Sequence, residues 1–551
     1  MTTQPIAAGI EALQRGAWGE ARTIYQASLA EGETPEALEQ LGLAAWGLDD
    51  AALTLDSRER SYNLYRERGD ARGAARVALW LVWDYLAFRG DSAIASGWME
   101  RARRLLTGLE RTPEYGWLLL REGEVALFRG HDPAVSRDSG LRAAAIGRDT
   151  GDRGLEFTGL ALEGLARVSA GDVEAGMRCL DEAAAAATAG EVKELHTVGV
   201  VCCWQIFACE RVRDYDRAAQ WCARVQEFTK RWHIRPLSAL CRAQYAGVLI
   251  WRGSWADAEA ELDIATRDLK QSRPPLAVQT LARLGELRLR QGRLDDAARL
   301  FAQAGSFPLA RLGQAALALE LGSPDEAAAE LERILAQAGT GEPTMRAGAL
   351  ELAVRAHAAL GDQVAAQRAQ GELEQIARVL GTAALAASAT AAAAVLHRLA
   401  GNLAAAATSF EQAAAQYERA GAPFETARAR LDLAQALVDT GQRAGAEREA
   451  RRALESFESL GAARDAERAR QWLDQPDSVQ ARTGKQKLTT RQIEILRLVA
   501  QGLSNPEIAA RLRLSDHTVK RHVANLLTRL GLPSRAAAVA YAAREGLLPR
   551  G

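Results

Sequence analysis

From residue 8 to residue 473 the apolar positions recur with the spacing of a buried helix face, and that recurrence carries a longer period. A Gly is followed by a small residue at +5, a larger apolar residue at +9 and often Ala at +12. Gly90 is followed in this way by Ala95, Met99 and Ala102, and Gly253 by Ala258, Leu262 and Ala265. Gly292 has Ala297, Phe301 and Ala304, and Gly401 has Ala406, Phe410 and Ala413. Looser copies begin at Gly16 (with Ala21 and Tyr25), Gly171, Gly361 and Gly441, and Arg213-Asp214-Tyr215 takes the same place before Ala218. The starts at 171, 213, 253 and 292 lie 42, 40 and 39 residues apart, and those at 361, 401 and 441 lie 40 apart. Positions +5, +9 and +12 share one helix face, and small residues there let a partner helix approach closely. A Gly before the helix supplies the left-handed turn from the preceding one. The predicted unit is a helical hairpin that buries one face against its own partner and another against the next hairpin.

This pattern resembles tetratricopeptide repeats, with helices longer than the usual unit of about 34 residues. The resemblance implies an all-α solenoid over residues 1–473. The spacing drops to 30 between Gly292 and Gly322, and Gly305-Ser306-Phe307-Pro308 interrupts the pattern, which marks a candidate joint near 305–310. Eleven of the 12 Trp residues lie at or before position 255. Aromatics at helical spacing usually fill cores; the alternative is an aromatic-lined concave groove for a peptide or ligand.

After Leu473 the pattern changes. Asp474 to Lys487 contains Pro476, Gly484 and mostly polar residues without apolar periodicity, and 474–483 reads as a linker. Three helix starts follow at short intervals. Leu488-Thr489 leads to Gln492-Ile493, Leu503-Ser504 to Glu507-Ile508, and Leu514-Ser515 to Thr518-Val519, each with a hydroxyl cap and a hydrophobic staple. The first helix is predicted over Thr490–Ala500 with Ile495, Leu496 and Val499 inward and Gly502 at its end. The second is predicted over Asn505–Leu512, where Pro506 falls in the first turn and is tolerated. In the third, Val519, Val523, Leu526 and Leu530 make an apolar stripe, with His517, Lys520, Arg521, Ala524 and Thr528 on the other face. Gly531-Leu532-Pro533 stops it, and Ser534 caps a fourth helix with Ala536, Ala540 and Ala543 on one side. A short turn between the second and third helices is helix-turn-helix geometry, with the third free to enter a major groove.

Charge sharpens this division. The whole chain has 69 Lys and Arg against 70 Asp and Glu, a net charge of −1. From Arg482 to Gly551, however, 13 basic residues face four acidic ones, a net +9, which leaves −10 for the rest. A basic module attached to an acidic body is the asymmetry expected when one part meets a polyanion. No run of 18 or more apolar residues occurs, and the first charged residue is Glu11, so neither a membrane span nor a secretory signal is expected and the location read from the chain is cytoplasmic.

Other chemistry is thinly represented. All six Cys (179, 202, 203, 209, 222 and 241) fall in one helical stretch without CxxC or zinc-ligand spacing, so buried reduced thiols are expected, with a Cys202-Cys203 redox pair as the alternative. His131, His196, His233, His357 and His397 are scattered singly. The only GK, Gly484-Lys485, is followed by Gln486, so no phosphate-cradling loop supports a signal-transducing ATPase. No enzyme, cofactor or metal is expected.

The tail residues Leu488-Thr489, Gln501 to Asn505, Glu507-Ile508-Ala509, Leu512, Ser515 to Lys520 and His522-Val523 resemble the DNA-binding domain of the LuxR/GerE family over residues 484–549. The resemblance implies a four-helix domain with a recognition helix at 516–530. It also implies double-stranded DNA as partner and a homodimer often aided by the last helix. By position it assigns base edges to Lys520 and Arg521, with Ala524 at a site that is polar in some members. Ser504, Asn505, His517, Thr518, His522, Asn525 and Arg529 are then candidates for phosphate contact or for positioning the recognition helix, although Ser504 and Ser515 also serve as helix caps. The family pattern differs here at Thr490, where Pro is frequent, and at Pro506, where a polar residue is common. The function expected is a transcriptional regulator whose repeats receive a protein or small-molecule signal. The alternative is a repeat-based scaffold or adaptor whose DNA-binding tail is not essential.

Overall fold

The computed structural model describes residues 3–232, 235–338, 342–474, 490–512, 519–520, 522–523 and 535–544. Among these residues the chain is helical throughout, without a strand. It divides into two compact units, 1–473 and 474–551.

In the first unit each helix packs on the next, and the turns between them carry the glycines of the repeat. Gly69-Asp70, Gly151-Asp152 and Gly361-Asp362 each lie in a turn of two or three residues between one helix and the next. The Gly adopts φ between 74° and 75°, and the Asp carboxylate accepts a hydrogen bond from the backbone N–H three residues on, at 2.9–3.0 Å. The +5, +9 and +12 residues occupy the core as their spacing requires. Ala258, Leu262 and Ala265 are wholly buried, as are Ala406 and Ala413 on either side of Phe410. Helices Pro133–Thr150 and Arg153–Ala170 approach each other closely. A Cβ on Gly140 would lie 2.7 Å from the Glu163 nitrogen, and one on Gly159 would lie 2.5 Å from the Ala144 nitrogen. Only residues lacking a side chain permit backbones this near each other.

At residues 305–310 the chain turns through Gly305, with φ 60°, into the helix Pro308–Leu321. The core runs across this turn: Phe301 is fully buried among Leu281, Ala297, Ala310 and Leu317. Of the tryptophans whose side chains are described, Trp18, Trp46, Trp204, Trp251 and Trp255 are buried and the others half-buried. Several donate their indole N–H within the protein, Trp117 to Asp152 at 3.1 Å and Trp221 to Asp181 at 2.9 Å. Core packing is therefore their main role. Five of the six cysteines are buried, and all six are free thiols. Cys203 Sγ lies 3.1 Å from Cys241 Sγ rather than pairing with its chain neighbour Cys202, and burial pushes the Cys202, Cys209 and Cys222 thiols up.

The solenoid winds so that segments 130 to 230 residues apart in sequence come into contact. Arg273, 2% exposed, donates to Asp49 Oδ1 at 2.8 Å and to the Trp46 carbonyl at 3.1 Å, with Phe88 under its guanidinium. His131 meets the fully buried Glu342 at 2.9 Å. Arg213 reaches Ser388 and Glu351 at 2.5 and 2.9 Å, Arg290 reaches Glu425 at 2.6 Å, and Trp251 donates to the Ala420 carbonyl at 3.3 Å. Turn residues abut across the same seam. A Cβ on Gly253, φ 82°, would lie 2.6 Å from Leu460 and 2.8 Å from Pro423.

An ion pair and a histidine in the N-terminal repeats give testable consequences. Arg58 and Asp84, 1% and 0% exposed, form an ion pair beneath Trp80. Burial raises the Asp84 carboxyl in spite of the neighbouring Arg58, so the pair is stable only as a pair. Asp84→Ala should cost about 3–5 kcal/mol in urea unfolding of the N-terminal repeats by stranding Arg58. The double replacement Arg58→Met with Asp84→Leu should cost clearly less. His196 lies edge-on to Trp80 with centroids 4.5 Å apart, and burial, then the Arg121 and Arg58 charges, hold its imidazole down to about 3 from 6.5. The unfolded chain therefore takes up the proton first, and stability present above pH 6.5 is lost as pH falls toward 3. Melting followed from neutral pH downward should show a smaller acid-side decline for His196→Gln than for the unaltered protein.

Candidate nucleic-acid interface

The second unit builds its scaffold from three helices among the described residues, Thr490–Ala500, Asn505–Leu512 and Arg535–Arg544. The first two have the bounds the capping pattern predicts. Gly502 ends the first at φ 84°. Ile495, Leu496 and Val499 are buried as expected, with Ile508, Ala509, Val519, Val523, Ala538 and Ala542 completing one core. Leu503 packs against this core, which contains Ile508, the residue it was expected to staple. The expected Leu488–Ile493 and Leu514–Val519 staples include positions outside the described side chains, as do Ala536, Ala540 and Ala543.

The start of the second helix is held by a local carboxylate and by a distant arginine. The Ser504 backbone N–H and hydroxyl both donate to Glu507 Oε2 at 2.7 Å, the reciprocal half of a capping box, and Ile508 N–H donates to the Ser504 carbonyl at 3.0 Å. The Ser504 hydroxyl, then its N–H, holds the Glu507 carboxyl below its ordinary range. Arg535 donates to Asn505 Oδ1 at 2.9 Å and also to the Leu503 carbonyl. The fourth-helix arginine thus fixes the turn at which the helix-turn-helix begins. Sequence reading gave Arg535 no role, because its partners are 30 and 32 residues away and its only local mark is its place just after the expected cap Ser534.

Two of the expected recognition-helix contacts lie among the described residues. Val519 is fully buried and Val523 nearly so, while Lys520 between them is exposed and His522 is half-buried. Val519 and Val523 therefore face the domain core and leave Lys520, at the flank of their stripe, exposed. His517, Thr518, Arg521, Ala524, Asn525 and Arg529 lie outside the described residues. Ser504 and Asn505 are both engaged within the domain, Ser504 by its cap and Asn505 by Arg535, which favours a positioning role for them. Among the described residues no group of three or more His, Cys, Asp or Glu could hold a metal.

Residues 486–542 match the family described as bacterial regulatory proteins, luxR family. The curated relatives match over short stretches of comparable length. An HTH-type transcriptional regulator of Mycobacterium tuberculosis is 48% identical over 59 residues, 11% of this chain and 7% of that protein. The response regulator protein VraR of Staphylococcus aureus is 46% identical over 61 residues, again 11% of this chain and 29% of that protein. The chain thus covers less than a third of either relative's length. Among solved structures, the APC/C hetero-tetramer Cut9-Hcn1 aligns at TM-score 0.43 and 14% identity over 81% of this chain and 85% of that one. A Rap protein complexed with competence and sporulation factor aligns at 0.35 and 13% over 71% and 99%. The solenoid assignment rests on this chain's own helix geometry.

Arg535→Ala should loosen the start of the second helix. Hydrogen bonds to a charged donor contribute about 1.5–3 kcal/mol, so amide hydrogens of residues 505–512 should exchange faster in the full-length protein, while those of the 343–360 helix should be unchanged.

Proposed function

We propose, on the premise that residues 486–542 are a LuxR-type DNA-binding domain, that the chain is a sequence-specific transcriptional regulator whose repeat unit receives a protein or small-molecule signal. The observation that carries this reading is the family match over a domain whose stripe, Val519 and Val523, is buried while Lys520 is turned outward. Lys520 and Arg521 read base edges, since either cation bonds the O6 and N7 acceptors of guanine, and Ala524 leaves the neighbouring contact apolar. His517, Thr518, His522, Asn525 and Arg529 contact phosphates or seat the recognition helix. Ser504 and Asn505 act through the turn they cap.

The net +9 of the tail supplies the sequence-independent attraction to phosphates. Residues 474–483 link the sensing unit, 1–473, to the DNA-binding unit, 484–549. A homodimer would present two such domains to half-sites about one turn of DNA, roughly 10 base pairs, apart. No described helix is long and apolar enough to cross a membrane, and we place the protein in the cytoplasm, where its DNA partner is.

Replacing Lys520 and Arg521 together by Ala should cost about 1–3 kcal/mol per lost base contact and relax sequence preference, measured by footprinting on DNA selected from a random pool. A footprint of unchanged sequence and affinity would show that other residues read the bases. Absence of any salt-dependent, sequence-selective binding by the full chain would favour the scaffold reading instead.

A further inference from the structure

Helices of the C-terminal repeats border a half-open pocket of about 560 Å³, within the size range of small-molecule sites. Four successive repeats contribute to it. Arg355 comes from the helix Pro343–Leu360, Arg398 from Ala383–Leu399, Arg428 from Pro423–Asp439 and Arg468 from Ala463–Asp474, while Ala358 and Ala359 leave room between them. Arg355, Arg398 and Arg428 keep 37%, 36% and 30% of their side-chain surface accessible although they sit within the winding of the solenoid.

The carboxylates lining this site are fewer than the arginines. Asp432 and Asp465 line the cavity, and Glu320 lies at its edge. The lining thus carries four guanidinium groups, of Arg355, Arg398, Arg428 and Arg468, against two carboxylates, while Glu320, Glu351 and Glu425 act on Arg355 or Arg428 from outside it. Arg468 takes the one close contact to Glu320, 2.7 Å. Arg355 and Arg428 stand 3.8 and 3.6 Å from the same carboxylate, and Arg398 stands 3.7 Å from Asp432, beyond ordinary hydrogen-bond length. The Arg428 charge, with burial second, holds Arg355 down to about 10, whereas at Arg428 burial is outweighed by the surrounding carboxylates, which push the guanidinium up.

We propose that this cavity binds a small anion carrying at least two negative charges on phosphate or carboxylate groups, with Arg355, Arg398 and Arg428 as its direct ligands. Planar guanidinium forks bind both oxyanions bidentately, and a ligand with two charged groups would match the excess of guanidinium groups over carboxylates in the lining. The arginines converge from different repeats, so the ligand would also tie together helices that otherwise repel one another at this point. Its test uses no DNA and therefore stands or falls apart from the regulatory reading.

Inorganic pyrophosphate and citrate, titrated separately into the full-length protein at constant ionic strength, distinguish the two chemistries by calorimetry. Saturable binding of one or both, weakened at least tenfold by Arg355→Gln and by Arg398→Gln, supports the site, and the tighter probe identifies the oxyanion. Arg355→Gln relieves repulsion with Arg428, so its ligand-free melting temperature should equal or exceed that of the unaltered protein, which separates lost binding from lost folding. No saturable heat from either probe up to about 10 mM, or equal affinities in the unaltered and substituted proteins, would overturn the proposal.

Discussion

Close approach of helices through small side chains is the constraint on which the repeat unit depends. Alanine at +5 and +12 brings each helix near its partner, and Gly140 and Gly159 carry that approach to backbone contact. Shape complementarity of this kind gathers many weak dispersion contacts and leaves little tolerance for an added methyl group. A left-handed residue between helices is its necessary companion, because a two-residue turn cannot reverse the chain otherwise. Together they fix the hairpin, and stacked hairpins fix the solenoid.

Winding then imposes a second demand. As the hairpins stack, helices far apart in sequence are pressed together, and the seams combine apolar contacts, such as Trp255 with Phe424, and charged side chains. Arg213 illustrates what this does to a single position. It occupies the turn where other repeats place Gly, and it accepts φ 58°, a conformation that costs a residue with a Cβ roughly 1–2 kcal/mol. From there its guanidinium reaches Ser388 and Glu351 across the seam and lies over Trp251. Ion pairs partly shielded from water contribute little net stability compared with apolar replacements, whereas the loss of one partner is destabilising. Around Arg355 and Arg428 the same architecture gathers arginines from four repeats about one pocket.

The C-terminal unit follows a different logic. Its helices are short, and caps, a left-handed Gly502 and one apolar core define them. Burial of Val519 and Val523 orients Lys520, so the core and the outward face are two sides of one periodicity. Arg535 adds what periodicity does not encode, a tie from the last helix to the turn before Asn505. The exposure of Lys520 is therefore set by hydrophobic spacing, and the turn before Asn505 by a long-range hydrogen bond.

The sequence by itself determined whatever depends on neighbours within a few turns of helix. That includes the 40-residue hairpin, the helices Thr490–Ala500 and Asn505–Leu512, the reciprocal cap between Ser504 and Glu507, and the outward position of Lys520. These follow from a 3.6-residue period and from hydrogen bonds spanning three or four residues, which leave a regular trace in composition. Only the tertiary structure decided that Arg273 meets Asp49, Cys203 meets Cys241 rather than Cys202, Arg535 holds Asn505, and four repeats gather arginines around one cavity. Such meetings depend on small rotations accumulated from one hairpin to the next, and no local pattern of residues records their sum.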